Sequence, residues 1–254
     1  MTGGNPDFIY QALGLVFGAV IGSFLATLLI RWPQGRSIVA GRSACDSCGA
    51  KLRVRDLVPV LSYAALQGKC RRCGTRIDQR HLAVELAAAT LGVVALIAHP
   101  LPLAAVTMLL GLWLLLLAAL DVDQQWLPDR LTLPLIPLGL AAAWAGLGPP
   151  LTERAVGAAL GFATLALIRL GYRQLRGREG MGGGDPKLFG AIGAWVGALN
   201  LPFILVGAGL LGLAAALLMH VRGREVSGTT RLPLGALMAV AAWPVWLVVA
   251  AVAA

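Results

Sequence analysis

Long uncharged stretches alternate with short polar ones along this chain. Phe8–Ile30 carries no Asp, Glu, Lys or Arg and is long enough to cross a bilayer as one helix. No basic residue precedes it, it exceeds the apolar core of a signal peptide, and nothing like Ala-x-Ala follows, so it reads as a retained helix. Leu86–Leu120 is charge-free over 35 residues and breaks at His99-Pro100-Leu101-Pro102 into two passes. Leu131–Leu147 and Ala155–Leu170 follow, separated by Gly148-Pro149-Pro150, and Leu232–Ala254 closes the chain. Leu188–Met219 is 32 uncharged residues interrupted at Asn200-Leu201-Pro202, and reads as one long helix or as two passes.

Basic residues choose between these readings, because they gather on the cytosolic side of a membrane. With two passes, the loops 31–81, 121–130, 171–187 and 221–231, together with Arg169, hold 20 of the 21 basic residues on one side. Arg154 alone lies opposite; a single pass would move Arg222, Arg224 and Arg231 to the wrong side. The pattern therefore predicts an all-α polytopic membrane protein of about eight transmembrane helices with both termini periplasmic. It divides into a first transmembrane helix (1–30), a cytosolic four-cysteine loop (31–81) and a seven-helix membrane core (82–254). The segment Leu188–Leu199 spans only about 18 Å as helix against a ~30 Å hydrocarbon core, so the glycine-rich segment before it is expected to be sunk into the membrane.

Composition agrees: 58% apolar and 13% charged residues cannot cover a soluble domain of 254 residues, and they exclude disorder. The net charge of +9 is absorbed by topology, so the partner is a lipid bilayer and not nucleic acid.

Cys45-Asp46-Ser47-Cys48 and Cys70-Arg71-Arg72-Cys73 form two CxxC pairs. Four thiolates at this spacing suit a tetrahedral Zn²⁺, and a cytosolic loop argues against disulfides. With all four positions filled by protein, the metal is structural.

His81, His99 and His220 are scattered, with no HExxH, and no GxSxG is present. The remaining chemistry is carboxylate: Asp121, Asp123, Asp129, Asp185 and Glu85. Each has a plainer reading: Asp129 and Asp185 as helix caps, Asp123 as solvated, Glu85 as interfacial or structural. Two carboxylates brought together at a low-dielectric boundary would share a proton and activate water, as in an aspartic protease. The alternative chemistry is a Mg²⁺-dependent membrane phosphotransferase; a non-catalytic secretion-assembly subunit or a transporter is the alternative from another class.

Gly22-Ser23-Phe24-Leu25, Arg42-Ser43-Ala44-Cys45, Asp56 to Tyr63, Gly68 to Cys73, Val84-Glu85-Leu86, Leu127-Pro128-Asp129 and Gly180 to Leu188 occur in that order. In this set the sequence resembles the prepilin leader peptidases, bacterial inner-membrane enzymes of type IV pilus and type II secretion systems. The resemblance implies a peptidase core over 82–254 that removes the basic leader of prepilins or pseudopilins on the cytosolic side. It also implies N-methylation of the new terminus with S-adenosylmethionine. Its catalytic aspartates fall on Asp121 and Asp185, which selects Asp121 over Asp123 and Asp129. Gly182, Gly184 and Lys187, in the same motif, and Glu85 are the supporting candidates. The chain departs from the family pattern at Ala26, Asp46 and His81-Leu82, all in the part linked to methylation.

Overall fold

The computed structural model describes residues 6–37, 43–224 and 231–253. Arg42, part of the Arg42–Cys45 match, lies outside them. Among the described residues the chain is helical, with two isolated β-bridges and no strand. The helices are α1 (Pro6–Arg31), α2 (Leu61–Ala65), α3 (Gln79–Ala98), α4 (Leu103–Gln124), α5 (Asp129–Thr132), α6 (Leu135–Trp144), α7 (Leu151–Arg176), α8 (Asp185–Val196), α9 (Leu201–Val221) and α10 (Leu234–Val252). Six of them, α1, α3, α4, α7, α9 and α10, are long and apolar enough to cross a membrane. The shorter α6 and α8 occupy the two remaining expected passes.

The predicted breaks at His99–Pro102 and Gly148–Pro150 fall between helices, and that at Asn200–Pro202 falls at the start of α9, with Pro202 in its first turn. Two passes differ from expectation. The fourth is split at Leu133-Pro134 into α5 and α6, because Pro134 has no N–H to continue the ladder. The fifth begins at Leu151, so Arg154 lies in the first turn of α7 and not in a loop.

The chain forms two compact units, Met1–Leu112 and Trp113–Ala254. In the first, α1 and α3 meet backbone to backbone along Gly14, Gly18 and Gly22. A Cβ on Gly14 would stand 2.6 Å from the Gly92 oxygen, and one on Gly22 2.6 Å from the Ala88 Cβ. Small residues one turn apart permit this approach, the usual device for packing helices in lipid.

In the second unit, α8 is the core. Eleven of its twelve residues are buried, all but Lys187. A Cβ on Gly157 of α7 would stand 2.5 Å from the Gly193 oxygen. The Trp195 indole N–H donates to the Leu135 carbonyl at 2.9 Å, and its ring meets Trp246 of α10 edge-on at 5.5 Å. Protein surrounds α8, which removes the length requirement on a lipid-facing helix. Arg154 is fully buried, donates to the Gly139 carbonyl at 2.8 Å and to the Leu147 carbonyl, and lies 5.1 Å from the Trp246 ring centre. Arg154, the one basic residue expected on the opposite side, is thus a structural clamp.

Candidate functional site

Asp121 and Asp185 are the buried carboxylates of the second unit among the described residues, at 5% and 6% exposure. Asp121 lies in the last turn of α4, where its Oδ2 accepts the Ala236 N–H at 2.9 Å from the first turn of α10. A helix N-terminus is a favourable place for a carboxylate. Asp185 opens α8, and its Oδ2 accepts the Gly182 N–H at 2.9 Å. Asp185 is within electrostatic reach of both Asp121 and Arg169. Each aspartate is thus held through one oxygen by a backbone N–H, and the pair interacts.

Leu127 sits against the anchors of both aspartates. A Cβ on Gly184 would stand 2.6 Å from the Leu127 Cβ, and one on Gly235 would stand 2.6 Å from its Cδ1 and 3.0 Å from the Asp121 Oδ2. Gly182 has the same constraint from the other side: its Cβ would stand 3.2 Å from the Asp185 Oδ2. The motif glycines make room for close contacts.

The cap readings of Asp129 and Asp185 do not hold. Pro128 is the N-cap of α5 and Gly184 that of α8, and neither helix has a side-chain cap bond. Asp129 instead takes the Lys187 ammonium on both oxygens, at 2.7 and 2.8 Å, which ties α5 to α8. Asp123 is exposed. Among the described residues the one cluster of three or more metal-ligating side chains is the cysteine quartet.

In the first unit, the Sγ atoms of Cys45, Cys48, Cys70 and Cys73 lie within 4.8 Å of one another, and none forms a disulfide. Cys45 and Cys73 are 3.9 Å apart, close to the ~3.8 Å edge of a tetrahedron with Zn–S bonds of about 2.3 Å. Each CxxC closes a knuckle: Gly49 donates to the Cys45 carbonyl and Gly74 to that of Cys70, both at 2.9 Å. Gly49 and Gly74 take φ of +66° and +71°, the left-handed conformation such turns require. The Thr75 hydroxyl and backbone hold the Cys73 thiol down at about 6, while burial and the neighbouring thiols push that of Cys48 up to about 11. The donor set fits a structural metal.

Residues 16–99 match the model described as Bacterial Peptidase A24 N-terminal domain, and residues 108–217 match the Type IV leader peptidase family. A protein of Dichelobacter nodosus named "Prepilin leader peptidase/N-methyltransferase" is 34% identical over 91% of this chain and 89% of its own length. The chain belongs to the type IV leader peptidase family. A Burkholderia pseudomallei (strain 1026b) protein of the same name is 37% identical over 86% of this chain and 79% of its own. A relative in Escherichia coli O78:H11, "Type 4 prepilin-like proteins leader peptide-processing enzyme", is 35% identical over 88% of each chain. No solved structure matches. With its six apolar helices, this leader peptidase family member is a multi-pass protein of the inner membrane.

Glu85, the remaining supporting candidate, lies in the N-terminal unit of this family member. It is buried in α3, and its Oε2 accepts the Val60 N–H at 2.8 Å. Val60 has φ +61° and ψ −52°, and Leu61 N–H donates back to the Pro59 carbonyl, a strained three-residue turn rarely occupied by a β-branched residue. Glu85 lines a cavity of about 1290 Å³ together with Ser23, Thr27, Tyr63 and His81. Sequence reasoning missed the Ala236 N–H, the Leu127 contact, Arg169 and the Val60 turn. Leu127 and Val60 carried a signal, as parts of the Leu127-Pro128-Asp129 and Asp56–Tyr63 matches.

Proposed function

We infer that this chain is a membrane aspartic endopeptidase that removes the leader of prepilins or pseudopilins on the cytosolic side and then N-methylates the new terminus. The pair of buried, backbone-anchored carboxylates Asp121 and Asp185 is the observation that carries the peptidase reading. One carboxylate, ionised, takes a proton from water as it attacks the scissile carbonyl. The other, protonated, donates to the carbonyl oxygen and takes that proton back as the intermediate collapses, while the first passes the water-derived proton to the leaving amine. Two like charges in low dielectric cannot both ionise readily, which supplies the two protonation states. Gly182 and Ala236 hold one oxygen of each in place, leaving the other for water or substrate.

Both termini are periplasmic in this reading, and the four basic loops, with the dyad, face the cytosol. Zn²⁺ on Cys45, Cys48, Cys70 and Cys73 would order the 31–81 loop. S-adenosylmethionine, when bound, supplies an electrophilic methyl group. The cavity beside Glu85, about 1290 Å³, has room for a donor of this size, so methyl transfer is assigned to the first unit. Incubation of the purified protein with a prepilin and S-adenosylmethionine, read by mass spectrometry, tests both activities separately. Loss of the leader with a methyl gain is expected; an intact leader overturns the peptidase reading.

A further inference from the structure

Glu85 lines the cavity of the first unit in an unusual electrostatic state. The other three acidic residues of the lining are each ion-paired with arginine: Asp46 with Arg31 and Arg36, Asp56 with Arg71, Asp78 with Arg80. Glu85 is only 6% exposed, yet among the described residues it makes no ion pair and one hydrogen bond, from Val60. Buried carboxylates are ordinarily paired. The bond it does make is to a residue in a strained turn, a conformation that persists where surrounding structure enforces it and that gathers at binding sites. With Oε2 held by the Val60 N–H, Oε1 is left as an oriented acceptor at the cavity wall.

We infer that Glu85 is the anchor for a primary ammonium in this cavity, the free amino terminus of a peptide brought there for methyl transfer. This rests on the methyl-transfer reading above. A carboxylate near the membrane boundary holds an ammonium through a charge-assisted hydrogen bond, and the guest supplies the missing counter-charge. For transfer, Glu85 would take one N–H proton, and the freed nitrogen lone pair would bond the methyl carbon as that carbon's bond to the donor's sulfonium sulfur breaks, leaving a neutral thioether. The other carboxylates of the lining are already taken by arginine, which leaves Glu85 as the acceptor for an ammonium. His81, one turn earlier on α3, is the nearest titratable neighbour on the same helix. At about 1290 Å³ the cavity exceeds the ~300–1,000 Å³ of typical small-molecule pockets, leaving room for a peptide end beside a donor. An acetylated terminus has no charge to offer and would leave Glu85 unpaired.

The test uses the full-length, zinc-containing protein in detergent and a leader-less pilin peptide with a free or an acetylated N-terminus. Wild-type protein should bind the free-amine peptide roughly 10- to 100-fold more tightly than the acetylated one, the range of a hydrogen bond to a charged group. Glu85→Gln keeps a carbonyl oxygen for the Val60 N–H but loses the charge. It should retain its zinc and Tm, bind both peptides alike, and bind S-adenosylhomocysteine as wild type does. Methyl transfer should fall by a similar factor, through KM for the peptide. Equal binding of the two peptides by wild type, or full discrimination kept by Glu85→Gln, overturns the inference. The wild-type comparison needs no variant, so a misfolded Glu85→Gln does not rescue it. Wild type that removes leaders without adding methyl groups sinks the methyl-transfer reading, and the peptide comparison still decides Glu85.

Discussion

Gly184→Ala tests whether the contact at Leu127 sets the position of Asp185. Gly184 has φ −80° and ψ −28°, a conformation alanine adopts freely, so the substitution acts by contact alone. The new methyl would lie 2.6 Å from the Leu127 Cβ and 3.2 Å from its carbonyl oxygen. Neither atom can swing away, since both are fixed to the backbone. Reaching ordinary contact near 3.4 Å requires the start of α8 and the 127 segment to part by ~0.8 Å. Overpacking of this kind costs about 1–3 kcal/mol. A displacement of ~1 Å between reacting groups costs on the order of 10²-fold in rate. Cleavage of a prepilin by Gly184→Ala in detergent should therefore fall by about two orders of magnitude, with a modest drop in Tm. Gly209→Ala in α9 is the control, because its Cβ would meet nothing within 4 Å; it should cleave normally. Gly184→Ala that cleaves within about twofold of wild type would refute the idea that this contact places Asp185.

The purified protein should contain about one zinc per chain, and Cys45→Ser with Cys73→Ser should release it and open the 31–81 loop to protease; stoichiometric disulfides would contradict this. Arg154→Met should lower stability by about 2 kcal/mol or more in denaturant titration, since a buried and a half-buried carbonyl lose their donor. Burial works against ionisation of Asp56, yet Arg71 prevails and holds its carboxyl below the ordinary range. That contribution is complete above the unfolded value near ~4 and is lost as pH falls through the lower folded one. Pepsin nicking between Lys51 and Leu57 should accelerate on acidification, and Asp56→Asn should flatten that dependence. Cysteines placed at positions 100 and 150 should label from the periplasm and one at 178 from the cytosol; the reverse would invert the topology.

Hydrophobic runs and their Pro/Gly breaks sufficed to locate the helices, because lipid-crossing segments must satisfy their backbone internally and advertise it by length. The interior Pro134 break and the extension of α7 through Arg154 escaped that logic. Arg154 looks like a loop residue by charge, and only three-dimensional packing supplies the carbonyls and the Trp246 ring that receive it. The cysteine knuckles were legible from spacing and the two following glycines. Asp121 and Asp185 were legible as candidates, and their resemblance to a motif chose between them and their neighbours. Their anchoring was not, since the N–H donated by Ala236 lies 115 residues from Asp121 and backbone groups leave no mark in a sequence. Glu85 was visible as a charge inside a pass, but its strained Val60 partner required coordinates.

The proposed peptidase activity stands or falls on the carboxylate pair. Asp121→Asn and Asp185→Asn preserve side-chain size and an oxygen for the Ala236 and Gly182 N–H groups, but neither can share or accept the proton. Prepilin cleavage by each single variant and by the double variant, in protein that still inserts and retains zinc, is the decisive measurement. Each single variant should abolish cleavage and the double should be no worse, because the pair acts as a unit. Normal cleavage by both single variants would mean that this is not an aspartic peptidase.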